Sequence, residues 1–405
     1  MATIKAEVRA AQEQEHACPA CGGASLESFY VVKNVPVNSC ILMASREEAL
    51  GYPKGEINLV YCHDCGFIYN AKFDEKLIEY SGRYEETQGY SGTFNAFHER
   101  LAETLIERHD LHGKEILEIG CGKGEFLTLL CDLGENRGTG FDPSYVVERS
   151  RAGSSARTTF VTDFYSERYA EHKADFLCCK MTLEHIPLVA RFVSTVRAAV
   201  GDRSETVVFF QVPDASIIVE NCHFWDIYYE HCSYFDQGSL AHLFADCGFQ
   251  VSRTWVDYDD QYLMIEAFPA NPLDEPDPCR SGPSMEESRA AMRRFVAAMP
   301  ARIDQWSQVI AERSGAGKKI VLWGSGSKAV SFLTTLGIET QIQHVVDINP
   351  HRQGMYMPGT GQPIVGPEFL ETAPPDTVII MNPVYRSEIS EKLTTMELYP
   401  EILAL

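Results

Sequence analysis

Hydrophobic and polar positions change their pattern along the chain, and the changes divide it into three. Residues 1–80 carry short apolar runs among many turn residues and two cysteine pairs. From Phe94 the spacing becomes helical: FNAFHERLAETLIERH reads as a helix buried on one face. A strand is expected at Glu115–Ile119, with others near Gly138–Phe141, Phe160–Thr162, Phe176–Cys179 and Thr206–Phe210. Helical stretches separate them, which predicts a doubly wound parallel sheet. The alternations Phe249–Val256 and Tyr262–Phe268 predict an antiparallel pair that closes it. Five prolines between Pro269 and Pro283, amid Asp, Asn and Gly, mark a linker. A helix near Met285–Arg313 follows, and KKIVLWGSGSKAVSFLTTL then reads as strand, glycine turn and helix. With strands expected at Gln341–Val346 and Thr377–Met381, this is a second α/β unit. The expected domains are 1–80, 81–270 and 284–405, and the fold class is α/β.

Composition narrows the function. At 405 residues, with 45% hydrophobic and 23% charged positions, the chain can bury several cores and is not a disordered polymer. Its 35 basic residues against 57 acidic ones give a formal charge of −22, which opposes a nucleic-acid partner. No apolar run approaches the roughly 20 residues of a membrane helix, and the opening MATIKAEVRAAQEQEHACPACGG is too polar for a secretory signal. A cytoplasmic location is expected. The 13 cysteines are then thiols or metal ligands rather than disulfides.

Four of those cysteines stand apart. Cys18-Pro-Ala-Cys21 and Cys62-His-Asp-Cys65 are CxxC pairs separated by 40 residues, each followed by a glycine. Two facing knuckles make a tetrahedron of thiolates, which suits structural Zn2+ with no position left open for chemistry. Buried free thiols are the plainer alternative. A redox role fits less well, because neither pair sits at a strand-to-helix turn.

Ile116-Leu-Glu-Ile-Gly-Cys-Gly-Lys-Gly124 runs from a strand through a glycine turn into a helix. Gly120, Gly122 and Gly124 let a ligand approach the backbone. Glu118 at the strand end suits an amine or sulfonium charge rather than a phosphate. Asp142, 24 residues on, can grip ribose hydroxyls, and Asp163 is placed to meet an adenine amino group. The nicotinamide fingerprint GxGxxG is not met, since Gly124 arrives one position early. Taken alone, such a turn can serve helix packing only.

On Glu118, Gly120, Gly122 and Gly124 the stretch Phe94–Phe268 resembles the class I S-adenosylmethionine (SAM) methyltransferases. That resemblance implies a class I Rossmann-like sheet and SAM as cofactor, with Cys121 and Met181 among its contacts. Met181-Thr-Leu-Glu-His-Ile-Pro187 follows the fourth strand, and His223–Phe235 follows the fifth, packing two histidines, Glu230 and six aromatics into 13 residues. Histidine beside a carboxylate suits general base work, and tyrosine can donate to a developing oxyanion. An aromatic packing segment is the plainer reading. Ile227, Tyr228, Glu230, His231, Ser233, Tyr234 and Phe235 match the I-Y-x-E-H-x-S-Y-F stretch of the zinc-containing C-methyltransferases of nucleotide-linked keto-deoxysugars. The chain's three-part order is similar to that family's: amino-terminal zinc-binding domain, SAM domain, C-terminal Rossmann-like domain. The resemblance implies His231 as base, Tyr228 and Glu230 beside it, Glu230 orienting the ring and Tyr228 steadying the oxyanion. It further implies His185 as a second active-site histidine and a tyrosine ahead of the first helix, here Tyr90, with Tyr84 as alternative.

Trp323-Gly-Ser-Gly-Ser-Lys-Ala329 is a second glycine turn, friendlier to phosphate than the first. Ser325, Lys328 and Arg352 are the expected contacts to a nucleotide-sugar acceptor, the two cations offsetting the acidic field. A turn that is merely structural is the alternative. The expected function is C-methylation next to a ketone through an enolate. O- or N-methylation of another small metabolite, or a non-catalytic SAM- and zinc-binding protein, are the competing readings.

Overall fold

The computed structural model describes residues 17–149, 156–271 and 282–405. Most of the proline-rich linker, at 272–281, lies outside them. Three sheets organise the described chain.

The first is antiparallel: β1 (Leu26–Pro36), β2 (Lys54–Cys62), β3 (Ile68–Asn70) and β9 (Ser233–Tyr234), in that order. The short apolar runs of the amino-terminal stretch are therefore strands, a fact their irregular spacing hides. β1 is the reason: its register slips between Ser28 and Tyr30 and again between Lys33 and Val35, which breaks the two-residue alternation. β9 belongs to the histidine-rich segment, so this sheet reaches past residue 80 to include chain from the central unit.

The second sheet has the order β10-β11-β8-β7-β4-β5-β6. β4 (Glu115–Ile119), β5 (Arg137–Phe141), β6 (Thr158–Val161), β7 (Phe176–Lys180) and β8 (Val207–Pro213) run parallel. β10 (Phe249–Asp257) and β11 (Tyr262–Pro269) add an antiparallel edge. β7 is buried at every position, as befits a strand covered on both faces. Helix Gly92–His109 lies on one face and buries Phe94, Phe97, Leu101, Ala102, Leu105 and Ile106. This is the class I methyltransferase Rossmann-like architecture.

The third sheet, β14-β13-β12-β15-β16, is wholly parallel. It comprises β12 (Ile320–Trp323), β13 (Ile342–Val346), β14 (Ile364–Val365), β15 (Thr377–Ile380) and β16 (Glu401–Ala404). Helix Met285–Gly315 precedes it and starts at a capping box, where Ser284 accepts from the Glu287 amide and the Glu287 carboxylate accepts from that of Ser284. Phe295 and Met299 of this helix share one core with Ile57 and Leu59 of the first sheet, Trp225 and Tyr229, and Leu322 and Ile379 of the third. The three units thus meet around the segment that carries the histidines. Among the described residues no helix is long and apolar enough to cross a membrane.

Candidate functional site

A single cavity of about 1500 Å³ opens where the carboxyl ends of the two parallel sheets face each other. Its wall runs from the first glycine turn, past His185 and His231, to the second glycine turn.

At one end, Gly120, Gly122 and Gly124 have φ of +70°, +53° and +77°, which only glycine adopts without strain. Asp142 pins the loop. Its Oδ2 accepts from the Gly122 amide at 2.9 Å and its Oδ1 accepts from the amide and hydroxyl of Ser144, each at 2.7 Å. Lys123, also of the loop, is buried and donates to the carbonyls of Tyr84 and Ser144, tying segment 84–86 over the turn. Glu118 is 2% exposed, and its Oε2 has no hydrogen-bond partner. Burial lifts its carboxyl to about 7, offset in part by Lys180, whose ammonium burial lowers to about 8. An unpartnered carboxylate oxygen and a bare glycine turn on one cavity wall suit the ammonium and sulfonium end of SAM. Cys121 and Met181 line the same wall, Met181 in the left-handed region at φ +49°. The Asp163 carboxylate accepts from Tyr169 Oη at 2.5 Å and from Arg168. Those bonds, both to Oδ2, hold it below its usual range, while Oδ1 accepts from the Phe164 amide and the residue lines the cavity.

In the middle stand the histidines. The His231 ring is 4.1 Å from that of Tyr228 and 4.8 Å from that of His185, which it meets edge-on. Burial drives the His231 imidazolium well below its ordinary range, with His185 and Lys328 adding to the effect. Burial brings His185 down to about 4. Both rings are neutral near pH 7, the form a base requires. Tyr228 stays protonated because burial pushes its hydroxyl well up.

Two expectations fail here. Glu230 does not orient His231: its Oε1 accepts from Asn38 Nδ2 at 3.1 Å and its Oε2 from Ser39 Oγ, with Tyr84 a further donor. The carboxylate facing His231 is Glu184, with Oε1 4.0 Å from Nε2. The tyrosine at the histidine pair is Tyr80, whose hydroxyl lies 2.9 Å from His185 Nδ1, with the Tyr84 ring 5.3 Å from its own. Tyr90 lines the cavity but packs edge-on against His351 of the C-terminal unit. Glu184 was in view within Met181–Pro187. Tyr80, Asn38 and Ser39 lie in the amino-terminal stretch, where no motif marks them.

At the far end the second turn repeats the design of the first. Asp347 Oδ2, just beyond β13, accepts from the Ser325 amide at 2.9 Å and hydroxyl at 2.5 Å, as Asp142 does for Gly122. The expected cations are already engaged. Lys328 Nζ is 2.7 Å from one oxygen of Asp226 and 2.8 Å from the other. Arg352 is buried and donates to the carbonyls of Ser325 and Glu85. A buried guanidinium needs such partners, and here they make it a tie between the second turn and segment 84–86.

Away from the cavity, Cys18, Cys21, Cys62 and Cys65 bring four Sγ atoms within 4.8 Å of one another. Cys18–Cys65 and Cys21–Cys62 are each 3.7 Å apart. Four sulfurs at about 2.3 Å from a tetrahedral zinc lie roughly 3.8 Å apart, so the donor set fits that ion. The knuckles are alike: the Gly22 and Gly66 amides donate to the carbonyls of Cys18 and Cys62 at 2.8 and 2.9 Å. Asp64 accepts from the Ser25 amide beside them.

Residues 92–254 match the model of a methyltransferase domain, and residues 285–398 that of a C-methyltransferase C-terminal domain. The C-methyltransferase NovU of Streptomyces niveus is 24% identical over 361 residues, covering 86% of this chain and 85% of its own. Two solved structures are similar over 44% of this chain. Magnesium protoporphyrin IX methyltransferase of Synechocystis PCC 6803, with bound SAH, is 15% identical, matched over 84% of its length at a TM-score of 0.35. A putative S-adenosylmethionine-dependent methyltransferase of Listeria monocytogenes is 14% identical, matched over 100% at 0.34. With both domain models on its sequence, the chain is a SAM-dependent methyltransferase.

The first turn should therefore govern cofactor affinity. In Gly122→Val the new Cβ falls 2.7 Å from Glu86 Oε1 at a φ that valine avoids, and calorimetry should detect no SAM binding. Asp142→Ala releases the turn and should weaken binding by about ten- to a hundredfold, the worth of hydrogen bonds to a charged group. Wild-type affinity in both variants would place the cofactor elsewhere. Arg352→Ala should cost about 3 kcal/mol of stability, since it strands two buried carbonyls. An unchanged urea transition with weakened acceptor binding would instead make Arg352 a substrate contact.

Proposed function

We propose that this methyltransferase acts on carbon, next to the ketone of a nucleotide-linked keto-deoxysugar or a closely related metabolite. The observation that carries the reading is the pair of neutral imidazoles, half-buried His185 and buried His231, in the cavity that also holds the Glu118–Gly124 turn. Oxygen and nitrogen acceptors carry their own lone pair, whereas carbon must first lose a proton, and a neutral histidine in a dry wall is suited to take it. The C-methyltransferase C-terminal domain at 285–398 and the relative NovU support the same reaction type.

In this reading His231 accepts the proton from the carbon beside the ketone. Tyr228, held protonated by burial, donates to the enolate oxygen. Tyr80 fixes the His185 ring through Nδ1, and His185 packs edge-on to keep His231 in place. SAM, when bound, supplies the electrophilic methyl group that the enolate carbon takes up. Glu118 and Asp142 hold and shape its end of the cavity. The sugar nucleotide extends toward the second turn, where Ser325, Lys328 and Arg352 line the wall. Zinc in the four-thiolate knuckle pair supports the sheet that β9 joins, and takes no part in the chemistry.

The competing reading, an oxygen- or nitrogen-directed enzyme on this scaffold, separates from this one by isotope exchange. Incubated with a thymidine-diphosphate 4-keto-deoxyhexose in deuterated water, the enzyme should exchange the proton next to the ketone. His231→Ala should retain SAM affinity and lose turnover by about a hundredfold or more. A product carrying the new methyl on oxygen or nitrogen ends the proposal. For the metal, elemental analysis of purified protein should return about one zinc per chain, and Cys62→Ser should release it. Metal-free protein as isolated would sink the zinc assignment.

A further inference from the structure

Glu184 is 1% exposed, and neither of its carboxylate oxygens has a hydrogen-bond partner. A buried carboxyl left so is costly, and it persists where the surroundings have another use for it. Glu184 lies in the turn after β7, and its backbone carbonyl accepts from the Cys232 amide at 2.9 Å. That bond clamps this turn to the segment that carries His231. The carboxylate thereby faces Nε2 of His231, while Nδ1 of the same ring makes no hydrogen bond among the described residues.

We propose that Glu184 is the positioning residue of His231: its carboxylate, 4.0 Å from Nε2 in this structure, closes on Nε2–H as the ring takes up charge and so leaves the Nδ1 lone pair to the acceptor's proton. This rests on His231 being the base. As the C–H bond beside the ketone breaks, its proton forms an N–H bond at Nδ1 and its electron pair becomes the enolate. The imidazolium so formed lies against the Glu184 carboxylate and afterwards gives the proton to water. The ion pair exists only while the base is charged, which is when a buried charge needs a partner.

The surroundings make the role readable. The groups packed around Glu184 are His185 in its own turn, His231 and Cys232 from the following segment, Cys179 of β7, Tyr80, and Tyr262 of β11. Burial keeps all of them neutral near pH 7: His185 down to about 4 and His231 lower than usual, Cys232 and Tyr262 up to about 12, Cys179 and Tyr80 well up. Burial raises Glu184 to about 8. Its carboxylate form, the one that accepts from Nε2–H, therefore grows as pH rises through about 8. Glu118 and Lys180 titrate in the same range at the cofactor end, so the signal must be tied to Glu184 by substitution.

The test reads the ring itself and needs no acceptor. In SAM-saturated, full-length protein with 15N-labelled histidine, the His231 resonances are assigned by their loss in His231→Ala. Their shifts should pass through a transition between pH 7 and 9 in the wild type. The transition should vanish in Glu184→Gln and return in Glu184→Asp. With the thymidine-diphosphate keto-deoxyhexose as acceptor, Glu184→Gln should lower kcat by at least about tenfold, leave KM within about twofold, and lose the rise of kcat over the same pH range. A transition that survives in Glu184→Gln, or is absent from the wild type, overturns the positioning role. If the ring transition follows Glu184 while no keto sugar is methylated, the positioning role stands and the acceptor reading fails.

Discussion

A charge taken out of water must be paired or neutralised, and that constraint sorts the residues of the cavity wall. Lys328 is paired with Asp226, Arg352 with backbone carbonyls, and Glu230 with Asn38 and Ser39. These groups spend their charge inside the protein and act as struts. His185 and His231 satisfy the same constraint by losing charge, which leaves them with lone pairs. Glu118 and Glu184 are buried carboxyl groups on this wall that keep an oxygen with no hydrogen bond. One stands at the cofactor turn and the other at the candidate base.

The two glycine turns show how one device can be used twice. In each, an aspartate at the end of the next parallel strand accepts from a backbone amide of the turn: Asp142 from Gly122, Asp347 from Ser325. The carboxylate makes the turn rigid and holds its bare backbone toward the cavity. The turns are tied together because Arg352 bonds both the Ser325 carbonyl and the carbonyl of Glu85, in the segment that Lys123 ties over the first turn. The amino-terminal unit completes the enclosure. It supplies Tyr80 to His185, and Asn38 and Ser39 to Glu230, while the Ser39 hydroxyl also lies 2.7 Å from that of Ser327 at the second turn.

Much of this was legible in the residues. The parallel strands of the central sheet and β12, β13 and β15 of the C-terminal one follow from apolar runs between helical stretches, because a strand covered on both faces has no polar alternation to obscure it. The short β14 and β16 were not expected. The glycines at 120, 122 and 124 announce their turn because the required φ admits little else. The CxxC pairs announce a cluster because two thiols on one tight turn are a local pattern, and their 3.7 Å pairing across the gap bears that geometry out.

What the sequence could not decide was partnership across long separations. Glu230 stands beside His231 in the chain, yet its carboxylate is taken by side chains 191 and 192 positions away, while the carboxylate that faces the ring comes from another turn. Lys328 and Arg352 are cations in a phosphate-friendly motif, and only packing engages them with Asp226 and buried carbonyls. Tyr80 rather than Tyr90 meets the histidines for the same reason. Motif and period are local properties of a chain, so they specify the turns and strands. Burial and charge pairing depend on which distant segments meet, so the role of each ionisable group was settled only when the three units closed on one another.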